Sequence, residues 1–445
     1  RRKAAFLCNN VYMYDPTPTL PHVSSNYIYD TILAQWRPIL DSDFAGGSSA
    51  GTQNDAFGRQ RTSSPMTLFD SSHRYKDNGL WNTFTSGTAT GIFNTNQGLV
   101  DLTIGSGIND EIIRETTKVC SYQPGKSLLI MNTAVMEAPK ADLRQRVGYY
   151  GSDNGIYIEL SGSNLNFVER TSVSGSLMET RVPQSSWNGD KLNGSGSSNL
   201  TLDISKAQIF WMDIEWLGLG TVRCGFVING KFIVAHSFHH ANIINSTYIT
   251  TASLPLRYEI KNAAATSGAS TLKQICSTAI SEGGYELRGL QQAVTIPLDA
   301  PRDCTAANTY YPVISLKLKS GFLDAIVILT ALSMVGTGNN AVFNWRMVAS
   351  GTTNGGQWVD VGANSAVQYN ISGTSFSGGR VLASGYMTSN TQGQAVIDIL
   401  KEALFKFQLE RNTFTSTGFE LTLIIASKNA GDDVYASIDW EEISR

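Results

Sequence analysis

Hydrophobic and polar positions alternate with a period of two through much of the chain. The run Gln208 to Leu217 sets Phe210, Met212, Ile214 and Trp216 against Ile209, Trp211, Asp213 and Glu215. Successive side chains of a strand point to opposite faces, so the first set is expected to face a core and the second set solvent. Val222 to Ile228 and Lys231 to Phe238 are two strand-like runs separated by Asn229-Gly230. Both turn residues tolerate positive φ, and the primed turn they form matches the twist of paired strands, so a hairpin is predicted. A second hairpin is predicted where Gly155 to Leu160 and Leu165 to Arg170 flank Ser161-Gly162-Ser163-Asn164. Ser127 to Glu137, Leu256 to Ile260 and Leu272 to Ile280 read as further strands. After Ser281-Glu282-Gly283-Gly284 the pattern resumes in Ala293–Leu298, Tyr311–Leu318, Ala325–Val335, Ala341–Ala349, Phe419–Ser427 and Val434–Trp440. A short helix is expected within Ile397–Phe407, with Leu400, Leu404 and Phe407 on one face.

The start of the chain reads differently. Pro16, Pro18 and Pro21 fix φ and remove donors, which predicts an extended arm. Ile28, Ile32 and Trp36 recur at steps of four, which predicts a helix over Ser25–Arg37, stopped by Pro38. Gly46 to Gly51 has linker composition. The expected fold class is mainly β: two antiparallel β-sandwiches, lectin-like or jelly-roll-like, behind an extended N-terminal arm. The expected regions are 1–75 (arm and linker), 76–290 and 291–445.

Composition supports strands joined by polar turns. Charged residues make up 16% of the 445 and glycines number 41, against a usual charged share of about 25%. The net charge of −3 and the lack of a basic run argue against a nucleic-acid partner. No apolar run is long enough for a membrane helix. The opening Arg1 to Cys8 has too short an apolar run for a signal peptide and reads as an internal start. Cys8, Cys120, Cys224, Cys276 and Cys304 have neither metal-site nor redox spacing. They read as buried free thiols.

Candidate chemistry is sparse. His236, His239 and His240 cluster, but strand geometry puts His239 on the opposite face from the other two. They are expected to be structural or solvent-facing, with no metal. Asp213 and Glu215 could mimic a glycosidase pair, which needs two carboxyl groups facing each other across a cleft. Alternation explains them more simply as solvent-facing. Gly47-Ser48-Ser49-Ala50-Gly51 has nucleophile-elbow spacing without the flanking strand and helix. Ser333 to Gly338 lacks the Lys of a phosphate loop. Trp81, Trp187, Trp211, Trp216, Trp345, Trp358 and Trp440 are expected mostly in the cores, although an exposed Trp could stack on sugar. No catalytic, cofactor-binding or metal residue is assigned, and the chain is expected not to be an enzyme.

The segment Asp55-Ala56-Phe57-Gly58-Arg59 to Asp70, continuing through Ser71 to Trp81, resembles a stretch of structural proteins from large tailed phages and marine viruses. Arg146 to Tyr150, Gly155 to Glu159 and Gln184 to Asn188 resemble the same group. The resemblance implies a virion component: a tail, baseplate, fibre or capsid-surface protein that pairs with copies of itself, with a trimer favoured, and with other virion proteins. The alternative is a carbohydrate-binding or glycan-degrading protein on a β-sandwich scaffold, and a host surface glycan is a partner compatible with both.

Overall fold

The computed structural model describes residues 63–389 and 404–444, together with the backbone of four short strands nearer the start. Those four strands lie in a separate N-terminal unit, residues 1–63. Lys3–Leu7, Asn10–Tyr14, Tyr27–Asp30 and Gln35–Pro38 pair in that order as an antiparallel meander. The helix expected over Ser25–Arg37 is therefore corrected to two strands, with Ile28 opposite Arg37 and Tyr29 opposite Trp36. The run Tyr27-Ile28-Tyr29 suits a pleated surface, and strand pairing overrides the fourfold spacing. The proline run, the 46–51 linker and most of the 397–407 segment lie outside the described residues. The end of that last segment, Leu404–Phe407, is a 3-10 turn and not part of an α-helix.

The remaining chain is two antiparallel β-sandwiches. The first has an eight-stranded sheet. Its path is Lys231–Phe238, Val222–Ile228, Gln208–Ile214, Leu128–Val135, Ser270–Ser281, Leu99–Ile104 and Thr90–Asn94. Met66–Ser72, expected in the N-terminal segment, also pairs with Ser270–Ser281. The opposing seven-stranded sheet runs Met178–Pro183, Asn164–Thr171, Gly155–Ser161, Leu143–Tyr150, Leu256–Asn262, Glu111–Thr116 and Trp81–Ser86. Both predicted hairpins form, with Asn229 at φ 53° and Gly230 at φ 73° in the turn between Val222–Ile228 and Lys231–Phe238.

The core lies between these sheets. Leu102, Ile130, Met212 and Phe226 from one meet Val147, Ile158, Phe167 and Tyr258 from the other. Phe210, Met212 and Ile214 are buried as the alternation predicts, each worth about 1.5–3 kcal/mol for its apolar surface. The opposite face of that strand departs from expectation. Asp213 is buried and ion-paired with Arg223, and Trp211 is buried against Phe232.

The second sandwich packs a six-stranded sheet on a four-stranded one. The larger sheet follows Val359–Asp360, Val367–Asn370, Tyr311–Leu318, Glu420–Ser427, Val342–Asn354 and Ser375–Thr388. In the smaller, Asp432–Ser444 pairs with Leu290–Thr295, Arg302–Cys304 and Ile326–Gly336. Phe343, Met347, Leu423, Met334, Ile438 and Trp440 fill this second core. Cys120, Cys224 and Cys304 are buried free thiols and Cys276 is half-buried. No helix among the described residues is long and apolar enough to cross a membrane.

Candidate functional site

A cleft of about 760 Å³ lies at one end of the first sandwich. Its base is a short antiparallel pair, Cys120–Ser121 with Ser253–Leu254. The fully buried Tyr149 fixes that pair. Its hydroxyl sits between the Cys120 and Ala252 carbonyls and accepts the Leu254 amide at 3.2 Å. Burial holds this phenol far above its ordinary pKa, so it stays a donor.

Trp216 forms one wall. It lies two residues beyond the end of Gln208–Ile214, where the chain turns at Leu217 (φ 37°) and Gly218 (φ 79°). The turn is closed by the Leu219 and Gly220 amides, which donate to the Trp216 carbonyl at 2.9 and 2.7 Å. A Cβ on Gly218 would come within 2.8 Å of Thr247, so only glycine fits there. Trp216 is half-buried, lines the cleft and meets Tyr122 edge-on at 6.2 Å. Its indole N–H donates to the Ile249 carbonyl at 3.4 Å.

Tyr122 and Tyr285 complete the aromatic lining. Burial pushes the Tyr285 phenol up to about 12, so both tyrosines are neutral donors at ordinary pH. The rim is polar. Gln123 donates to the Glu286 carbonyl at 2.6 Å and accepts the Glu286 amide at 3.0 Å. Glu286 pairs with Arg288 at 2.7 Å, which holds its carboxyl below the ordinary range. Lys126, Thr250 and Thr251 add donors and acceptors around the mouth.

The residues singled out from the sequence do not gather here, apart from Trp216. Asp213 belongs to its Arg223 ion pair, whereas Glu215 is exposed beyond the strand end. The Asp213 expectation is corrected, because a guanidinium partner on the neighbouring strand lets the carboxylate be buried. The three histidines have separate partners. His236 accepts the Asn188 amide at 3.3 Å and is pushed down to about 4 by burial, then by His239. His239 is exposed beside Thr221. His240 is buried, with Nδ1 at 2.6 Å from the Gly220 carbonyl and Nε2 at 2.7 Å from Glu169. Two acceptors require two N–H groups, hence an imidazolium. Burial opposes that charge, but the Glu169 carboxylate and the Gly220 carbonyl together raise its pKa.

A second concentration of polar groups covers the outer face of the seven-stranded sheet. Arg146 stands opposite Glu159 on one neighbouring strand and Glu259 on the other. It reaches Glu159 at 2.7 Å, Glu179 at 3.3 Å and Glu259 at 3.5 Å. Arg170 and Arg181 also grip Glu179. Although burial works the other way, the Tyr157 hydrogen bond and these arginines bring Glu179 down to about 2. Arg146 and its neighbours also hold Glu259 low. A catalytic acid needs a raised pKa, so these carboxylates act as counter-ions of a buried lattice. Nothing in the period-two pattern separates such a face from an ordinary solvent face.

No protein-family model matches the chain, and no curated protein matches it. Solved structures to which it is similar each match about half of it. A carbohydrate esterase from Shiga toxin-encoding bacteriophage phi24B is 11% identical, over 49% of this chain and 99% of the esterase, with a TM-score of 0.30. The Emp47p carbohydrate recognition domain is 8% identical over 50% and 99%, with a TM-score of 0.33. A glycoside hydrolase family protein from Mycobacterium thermorestibile is 10% identical over 48% and 99%, with a TM-score of 0.34. The expectation that the chain is not an enzyme is corrected on this finding, since the similar structures include an esterase, a hydrolase and a transglycosylase.

Proposed function

We propose that this chain engages carbohydrate, with the Trp216 cleft as its site. The observation that carries the reading is the cleft itself: an indole and two phenols held beside a rim of mixed donors and acceptors. A sugar ring presents an apolar face to an aromatic wall, while its hydroxyls both donate and accept. The turn at Leu217-Gly218 sets the indole in place before any ligand arrives, which lowers the ordering cost of binding. The test is a glycan array on the full chain, with released reducing ends measured in parallel to detect cleavage. Trp216→Ala should lower affinity roughly ten-fold or more while the fold persists. Unchanged binding in that variant would remove the cleft from the reading.

On the resemblance of the 55–81 segment we also propose that the chain is a virion component. A particle bearing many copies converts a weak sugar contact into firm attachment, so the two readings support each other. Absence of the chain from purified particles would overturn this one.

A further inference from the structure

A second cavity, of about 310 Å³, opens where the two sandwiches meet. Its apolar wall is Phe84 from the first sandwich and Phe414 from the second, with ring centroids 5.6 Å apart. Its polar lining includes Glu115 and Arg257 from the first and Asp324 from the second. Arg411, also in the lining, is committed to Glu115, Asp324 and the Thr116 carbonyl.

Arg257 is the unusual member. Its side chain is nine-tenths buried, yet it makes no hydrogen bond to any described residue. Glu115 and Glu259 stand 3.6 and 3.5 Å from its terminal nitrogens, and its Nε is shielded without a partner. The guanidinium carbon lies over the Tyr150 ring, 5.2 Å from its centroid. A buried guanidinium normally fills its fork with acceptors. The structure thus holds a fixed set of donors at the edge of a cavity whose far wall is aromatic.

The geometry points to this seam as a second sugar site, taking one neutral pyranose unit: hydroxyls accept from Arg257 and donate to Glu115 or Asp324, and the ring face packs on Phe84 and Phe414. A neutral ligand is indicated by the local charge. The charged lining is Glu115 and Asp324 against Arg257 and Arg411, two carboxylates for two guanidiniums, so the cavity has no net positive charge to draw an anion. The choice of ligand class rests on the carbohydrate reading of the chain. The site itself rests on Arg257 and the phenylalanine pair.

Saturation-transfer NMR on the full chain tests the inference, with methyl glycosides of glucose, galactose and mannose and with N-acetylglucosamine as probes. At least one should give a signal that survives Trp216→Ala and falls about ten-fold in affinity in Phe84→Ala. Phe84 is partly exposed, so that variant should fold. Arg257→Gln should weaken the same probe. A signal abolished by Trp216→Ala would overturn the seam site and leave the cleft standing. A signal that survives Trp216→Ala but is indifferent to both Phe84→Ala and Arg257→Gln would overturn the seam site, as would silence from every probe. Loss in Phe84→Ala, with Trp216→Ala neutral for that probe, would support the seam, while the cleft stands or falls on the glycan array.

Discussion

Arg411 of the second sandwich is buried against Glu115 of the first, with Nη1 to carboxylate oxygen at 3.2 Å and neither side chain more than 2% exposed. The same guanidinium donates to the Thr116 carbonyl at 2.6 Å, and the Arg411 amide donates to Thr117 at 2.9 Å. In return Asn82 donates to the Arg411 carbonyl at 2.6 Å. Removing one partner of a buried ion pair leaves the other charge stranded. Arg411→Ala should therefore cost about 3–5 kcal/mol. Urea unfolding should show a lowered midpoint or two separated transitions. A midpoint within experimental scatter of the wild type would refute this account of the seam.

Two of the buried histidines, His240 and His236, should tilt stability in opposite directions with pH. His240 has a folded pKa raised above 6.5. Its contribution is complete below 6.5 and is lost as pH rises through the raised folded value. His236 has a folded pKa of about 4. Its contribution is complete above 6.5 and is lost as pH falls from 6.5 towards 4. His240→Gln should flatten the slope of unfolding free energy on the alkaline side of pH 6.5, and His236→Gln the slope on the acid side. Identical pH profiles for wild type and both variants would contradict the assignment.

Asn132 is fully buried on the core side of Leu128–Val135, and neither its amide oxygen nor its nitrogen has a hydrogen-bond partner. An unsatisfied buried amide costs about 1–3 kcal/mol. Asn132→Leu, which keeps the branched heavy-atom skeleton without the polar atoms, should raise the thermal midpoint. A drop of several degrees would mean that the amide has a role the packing does not reveal.

Tyr149→Phe removes the hydroxyl that joins Cys120, Ala252 and Leu254 while keeping the ring. The loss should be roughly 1–3 kcal/mol. Sugar affinity at the Trp216 cleft should fall more than in a core variant of equal stability cost, since the base of the cleft loosens. Equal loss of affinity in the two variants would count against Tyr149 as the organiser of the cleft.

Much of the fold was legible because apolar alternation and turn chemistry agree. Tyr311–Leu318 is both a predicted and an observed strand, and Asn229-Gly230 makes its turn. Ser375–Thr388 was invisible: it is rich in Gly and Ser, largely exposed, and set by pairing with Val342–Asn354. Asp213 misled because its Arg223 partner lies across a hairpin, and alternation carries no information about cross-strand charge. The cleft was legible only in fragments. Tyr285 directly follows the Gly283-Gly284 break read from the sequence and Tyr122 lies close before Ser127 to Glu137, but their meeting depends on tertiary structure. Trp216 packs against the edge of the first core, as the alternation predicts, but the left-handed turn after it leaves part of the indole to line the cleft.

The hydrogen bonds around Arg411 have direction as well as strength, so they resist sliding and rotation in a way that an apolar seam of equal area would not. The first and second sandwiches form one frame, and the two proposed sugar positions keep a constant spacing and angle upon it. On the proposed reading such a frame would gauge a polymer: a chain whose repeat matches the spacing would be held at both ends, and one that does not match at one.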